Sequence, residues 1–297
     1  MLTEAQKQTY LDQGFVLIPQ VISADKIAAM ADELQVWIEE SRNHSKNYGA
    51  TVNGKSRFDL EPGHSKENPK LRRINNPVDI SQAYRDVLFE GPAVDAVVDI
   101  LGPNVKFHHC KLNIKLPGMV TRVDYHQDHP FDVHTNDDHA TLLVLLDDMS
   151  EANGCLRIVS GSHLWPQYSH YKDNVFVGKV DAEAQAMCEA SAIKLEGKAG
   201  DICLMNTWCL HGGTSNLSQN SRRLLICDLT AADNYPLMAP QVPSEYTGKI
   251  IAGKASRMAR FRSGEIEMPY HYESDSFFGA QGQDQDQDQD QDQDSPY

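Results

Sequence analysis

His126-Gln127-Asp128, His211 within Leu-His-Gly-Gly, and Arg222 eleven residues further on are the residues of this chain whose types and spacing can do chemistry. In an extended strand alternate side chains share a face, so His126 and Asp128 reach toward one point while Gln127 turns away. Two imidazole nitrogens and one carboxylate oxygen are the set that holds non-heme Fe(II) on one side and leaves the opposite side open. His211 supplies the second imidazole. Residues 202–205 (Ile-Cys-Leu-Met) read as a buried strand, 212–221 as a Gly/Ser/Asn-rich turn, and 222–229 as a return strand. An antiparallel return brings Arg222 back beside His211. A guanidinium there grips a carboxylate with its planar fork, so an acidic cosubstrate is expected. Arg223 has the opposite strand parity and reads as a solvated surface charge. The same three ligands also suit a zinc hydrolase, a reading that leaves Arg222 without a task.

These motifs resemble the phytanoyl-CoA dioxygenase superfamily, which includes ectoine hydroxylase, over residues 15–229. Beyond the ligands, the resemblance rests on Leu146-Asp147-Asp148, on Asn153-Gly154 and the apolar run after it, and on Gly161-Ser162-His163. It implies Fe(II) as cofactor with 2-oxoglutarate and O2 as cosubstrates, His126, Asp128 and His211 as the catalytic metal ligands, and Arg222 as the 2-oxoglutarate anchor. Asn113, within His109-Cys110-Lys111-Leu112-Asn113, becomes a cosubstrate contact by the same resemblance; a strand asparagine bonded to backbone is the plainer alternative. Several members of the superfamily carry Ser two residues after the distal histidine, where this chain has Gly213, and Thr141 is the hydroxyl expected to compensate. The implied reaction hydroxylates an unactivated C–H bond of a small molecule and releases succinate and CO2. A carboxylate at Asp128 favours that outcome over halogenation. Desaturation, epoxidation and cyclisation stay open with the same ligands, as does a jelly-roll protein that binds metal or ligand without turnover.

The elements that must position these residues change character along the chain. Thr3 to Gln6 has the pattern of a capping box, and Ser23 caps a longer helix whose Ile27, Met30, Leu34 and Ile38 recur at helical spacing. Helical patterns return at 80–88 and 93–101. After Pro103 the short strand candidates are 105–110, 112–116, 120–126, 140–146, 155–159, 193–196, 202–205 and 222–229. Eight such strands predict a mainly β fold with flanking helices, a double-stranded β-helix of the jelly-roll, cupin-like kind. Its mouth would be walled by residues 129–139, where His129, His134 and His139 are candidates for substrate contact or plain loop polarity. Asp124 is read either as facing the pocket or as a structural ion pair, His163 as fixing its own turn, and Trp165, Tyr168 and Tyr171 as packing.

Composition bounds the remaining choices. The 297 residues are 40% hydrophobic and 23% charged, with a formal net charge of −15, so a nucleic-acid partner is not expected. No apolar run approaches the roughly 20 residues that span a bilayer. A cytoplasmic enzyme without a membrane partner is the resulting expectation, with the oligomeric state unread. The six cysteines show no metal spacing and sit mostly in apolar runs as free thiols. Residues 1–280 read as one domain. Residues 281–297, dominated by a Gln-Asp repeat with six aspartates, read as a solvated extension that cannot build a core.

Overall fold

The computed structural model describes residues 2–264 and 277–281; the Gln-Asp repeat lies outside them. The chain opens with α1 (Glu4–Gln13), β1 (Phe15–Ile18) and α2 (Ala24–Ser41), then β2 (Tyr48–Ala50), β3 (Ser56–Leu60) and β4 (Leu71–Asn75). Helices α3 (Pro77–Ile80), α4 (Gln82–Leu88) and α5 (Pro92–Leu101) lead into β5 (Val105–Lys115), β6 (Val123–His126), β7 (His139–Leu145) and β8 (Leu156–Ile158). A hairpin of β9 (Tyr171–Lys172) and β10 (Val175–Phe176), then α6 (Ala182–Ser191) and β11 (Ile193–Lys194), precede β12 (Ile202–Asn206), β13 (His211–Gly213) and β14 (Arg222–Ala231). β15 (Ile250–Ala252) and α7 (Phe277–Ala280) complete the described elements.

Two antiparallel sheets carry the fold. The larger runs β1-β12-β7-β14-β5-β4-β3-β2, with β15 on β5, and the smaller runs β11-β8-β13-β6. The period of two decides what each side of the larger sheet covers. Cys110, Leu112 and Ile114 of β5, Leu142 and Val144 of β7, and Leu225 and Cys227 of β14 pack outward against Met30, Leu34, Tyr84 and Val97 of the helices. Leu143, Leu145, Cys203, Met205, Leu224 and Ile226 point inward, where Leu156 and Ile158 of the smaller sheet meet them. The helices therefore back one face, and the space between the sheets is left for a site.

Local chemistry follows the pattern in most places. Thr3 and Gln6 form the reciprocal capping box, whereas Ser23 sits at the N-cap of α2 without a side-chain hydrogen bond. All six cysteines are free and buried. Among the described residues no helix is long and apolar enough to cross a membrane. Candidates 105–110 and 112–116 are one continuous strand, β5. Gly212 and Gly213, expected to open a turn, instead belong to β13, the strand that ties β6 to β8. Arg223 is not a free surface charge: it holds Asp147 through two guanidinium nitrogens, with Nε at 2.8 Å, and its backbone N–H bonds the same carboxylate.

Gly154, in the Asn-Gly turn, has φ +74°, and a Cβ built there would lie 2.5 Å from the Thr214 carbonyl oxygen. Both the left-handed backbone and the close approach demand glycine. Gly154→Ala is expected to destabilise the fold by about 1–3 kcal/mol, read as a lower urea midpoint with unchanged slope. An unchanged midpoint would mean that the 214–215 loop yields freely.

Candidate active site

β6 ends on His126 and β13 begins on His211, and the register pairs these two residues directly. Their ring centroids are 4.3 Å apart. His126 Nδ1 lies 2.9 Å from the Asp124 carbonyl and His211 Nδ1 lies 3.0 Å from the Cys209 carbonyl. A carbonyl only accepts, so each Nδ1 carries the hydrogen and each Nε2 keeps its lone pair for a ligand. Asp128 Oδ1 stands 3.6 Å from both Nε2 atoms. All three ligand atoms fall within 4.8 Å of one another, a spacing that bonds of about 2.1 Å to one ion require. Burial pushes the Asp128 carboxyl up, but His211, His126 and Lys111 more than offset it and hold it well below the usual carboxylate range. Burial pushes His211 down to about 4, so its imidazole is neutral and able to ligate at physiological pH.

Strand parity is not what brings Asp128 here. Its backbone is helical (φ −72°, ψ −35°) and precedes a 3-10 turn, His129–Phe131. The chain folds over after Gln127, whose amide is buried and pinned between the Trp208 carbonyl (2.9 Å) and the Tyr168 N–H (3.1 Å). Asp128 Oδ2 lies 3.2 Å from Thr141 Oγ1, which also lies 2.9 Å from Asp228 Oδ1. Burial, with the charges of Asp128 and Asp132 and against that of Lys111, pushes Asp228 up to about 7. The Thr141 hydroxyl stands between the two carboxylates as a donor that either of them accepts from.

Arg222, Asn113 and Thr141 line one small cavity with His126, Asp128 and His211, about 40 Å³ in volume. Arg222 reaches it by a different route from the one its sequence position implies. β12 and β14 are not neighbours, because β7 lies between them. Arg222 is instead opposite Lys115 of β5. Its guanidinium is buried, donates from Nε to the Gly154 carbonyl at 3.1 Å, and has no carboxylate partner among the described residues. Burial lowers it only to about 10, so it is a cation at neutral pH.

With this geometry the chain matches the phytanoyl-CoA dioxygenase (PhyH) family over residues 10–224. The chain belongs to that family. It is an iron- and 2-oxoglutarate-dependent dioxygenase with the family's jelly-roll fold. It is 28% identical to a probable α-ketoglutarate-dependent hypophosphite dioxygenase of Stutzerimonas stutzeri, across 91% of this chain and 93% of that protein. A 2-aminoethylphosphonate dioxygenase from an uncultured bacterium is 26% identical across 75% and 79% of the two chains. Among solved structures, EctD from S. alaskensis with bound Fe superposes with a TM-score of 0.67 at 18% identity, covering 87% of this chain and 88% of that one.

The remaining candidates of this dioxygenase fall into place around that centre. Asn113 Oδ1 accepts from Arg73 Nε at 2.9 Å, which leaves its amide hydrogens for a ligand. The Thr141 hydroxyl is engaged by Asp128 and Asp228. Beside Gly213 the structure places Lys115: a Cβ on Gly213 would be 3.5 Å from its Nζ, which is buried and bonded to the Thr214 carbonyl. Burial and the neighbouring Arg222 hold this amine well below the usual lysine value. Asp124 pairs with Lys179 at 2.9 Å and with Arg122, a structural role in which its own carbonyl steadies His126. His163 Nε2 donates to the Leu11 carbonyl at 3.0 Å. His129 stacks on Trp208 at 4.1 Å, and His134 and His139 are buried against His108. Lys111, Lys115, Arg73 and Phe277 were not singled out in the sequence, although His109, Lys111, Asn113 and Lys115 alternate with apolar residues along β5. Phe277 lies 5.3 Å from the His126 ring and 4.7 Å from the Arg73 guanidinium carbon.

Thr141→Val keeps the shape of the side chain and removes the hydrogen offered to Asp128. Iron affinity is expected to fall roughly 10- to 100-fold, as for other groups that orient a metal ligand, measured by competition with a chelator. Wild-type affinity in the variant would reduce Thr141 to packing.

Proposed function

We propose that this dioxygenase hydroxylates a C–H bond of a small polar molecule, with His126, Asp128 and His211 holding Fe(II) and Arg222 anchoring 2-oxoglutarate. The carrying observation is the convergence of three candidate ligand atoms and one buried guanidinium without a carboxylate partner among the described residues on a single cavity. Bound Fe(II) supplies the activation of O2 that couples decarboxylation of 2-oxoglutarate to substrate oxidation. The chain supplies placement. Arg222 is buried where a charge-assisted fork onto the distal carboxylate is strong, and the Asn113 amide hydrogens suit the oxygens of the same molecule. Asp128 occupies the third ligand position, which favours hydroxyl transfer over halide transfer. A second cavity of about 360 Å³ shares Asp128, Lys111, Arg73 and Phe277 with the first, and it is the room for substrate. Six free, buried cysteines accord with work in a reducing cytoplasm.

The test is succinate formation from 2-oxoglutarate under air, with and without added Fe(II), across a panel of small polar compounds. Iron-dependent succinate is the expected result. Iron bound at full occupancy with no succinate from any compound, or hydrolytic activity supported by Zn²⁺ without 2-oxoglutarate, would overturn the reading.

A further inference from the structure

The cavity lined by His126, Asp128 and His211 is closed by a residue from beyond residues 10–224, the region that matches the family. Its volume of about 40 Å³ is room for a few waters and far less than a keto diacid occupies. A lining group therefore has to move before 2-oxoglutarate reaches Arg222. All but two of the lining residues lie in strands β4 to β8 and β12 to β14. The exceptions are Asp128 and Phe277. Asp128 is held by Thr141 at 3.2 Å and belongs to the metal cluster, whereas Phe277 opens α7, a helix of four residues. Phe277 is the part of the wall that can yield.

Its position is where the two cavities meet. Of the four residues they share, Arg73, Lys111, Asp128 and Phe277, it is the one apolar side chain. Its ring lies 5.3 Å from the His126 ring and 5.4 Å from the Phe131 ring, and the Arg73 guanidinium carbon is 4.7 Å from its centroid. A single helical turn is not stable by itself, so contacts outside α7 keep the ring there. Gln281 makes them. It is buried; its Nε2 donates to the Gly178 carbonyl at 3.0 Å, its Oε1 accepts from the Asp124 N–H at 3.2 Å, and its carbonyl accepts from Lys179 Nζ at 3.1 Å. Its own N–H donates to the Phe277 carbonyl at 3.3 Å, which ties the anchor to the ring. A short segment held by a few polar contacts opens more easily than the sheets around it.

We propose that residues 277–281 are a gate on the metal centre: Phe277 closes the passage between the two cavities and moves aside to admit 2-oxoglutarate, and Gln281 is the positioning residue that latches it shut. This rests on the oxygenase reading above for the molecule that passes, and adds to it a conformational step. The latch bears on Asp124, whose carbonyl holds the His126 ring, so opening leaves the metal ligands in place.

The test follows 2-oxoglutarate binding to the Fe(II)-loaded protein without oxygen, by stopped-flow absorbance, in wild type, Phe277→Ala, Gln281→Ala and Gln281→Glu. A gate makes the wild-type rate level off at high 2-oxoglutarate, at the rate of opening. Gln281→Ala removes two side-chain hydrogen bonds and should raise that plateau roughly 10-fold, and Phe277→Ala should remove the plateau. Gln281→Glu keeps the acceptor toward Asp124, loses the donor toward Gly178, and should fall between. Iron affinity by chelator competition should hold in all four. The metal-free protein gives a second readout: hydrogen exchange at the Asp124 amide should quicken roughly 10-fold in Gln281→Ala. A binding rate that rises linearly with 2-oxoglutarate and is equal in all four proteins, an unchanged Asp124 amide in Gln281→Ala, or loss of iron in Phe277→Ala would overturn the gate. No 2-oxoglutarate binding by any of the four would instead overturn the oxygenase reading, and the Asp124 amide then decides on the latch alone.

Discussion

His211→Ala is expected to lose iron and turnover together, and Asp128→Ala to do the same. Both imidazoles present Nε2 because their Nδ1 hydrogens are held by backbone carbonyls two residues earlier, so neither ring is free to swing and compensate for a missing partner. Among the described residues Asp128 is the one carboxylate within reach of both, and it would supply the negative charge that a divalent ion needs when it leaves water. Groups that merely orient a ligand change metal affinity by roughly 10- to 100-fold; removing a ligand should exceed that range, leaving succinate formation at background. Iron titration against a chelator, with thermal unfolding of the metal-free variant as the control for folding, separates lost binding from a lost fold. His211→Ala that binds iron as tightly as wild type would dissolve the assignment of the centre.

The cluster of His126, Asp128 and His211 was legible in the sequence because residue type carries it, but the backbone path that assembles it was only partly so. His126 ends β6 as expected, yet Asp128 arrives through a helical turn; the alternation argument brought Asp128 beside His126 by a path the backbone does not take. Arg222 was assigned to a hairpin with the strand before His211, whereas its neighbours are β5 and β7. Which strands pair across long connections is set by the whole sheet, and local patterns do not encode it. β3 and β4 have no strand candidate in the sequence reading, because Arg57, Asp59, Arg72 and Arg73 interrupt the apolar pattern there. In the fold they are buried, with Arg72 on Asp59 at 2.9 Å and Arg57 on Asp79 at 3.1 Å. α6 hid behind an Ala/Glu/Gln composition with little amphipathic signal, although its Asp181 does cap the Ala184 N–H. The polar alternation on β5 was present in the sequence. It became informative only once the apolar partners Cys110, Leu112 and Ile114 were seen to face the helices, leaving the other parity for the cavity.

Arg222→Ala should keep its iron and lose its grip on 2-oxoglutarate. The guanidinium has its fixed contact with the Gly154 carbonyl, not with His126, Asp128 or His211. Truncating one partner of a desolvated, hydrogen-bonded charge pair loses about 2–5 kcal/mol, so the 2-oxoglutarate KM is expected to rise by roughly 100-fold while chelator competition returns wild-type iron affinity. The loss should stop short of complete because Lys115 lies opposite Arg222 in the register. Arg222 is one of the two causes, after burial, that hold the Lys115 amine below its usual value. Removing the guanidinium lets that amine charge more readily and offer the distal carboxylate a weaker point contact. Saturating 2-oxoglutarate should therefore restore much of kcat in Arg222→Ala, and the same variant combined with Lys115→Met should not recover. An unchanged KM in Arg222→Ala would place the cosubstrate elsewhere in the barrel, whereas a parallel loss of iron would mean that the two halves of the site are not independent.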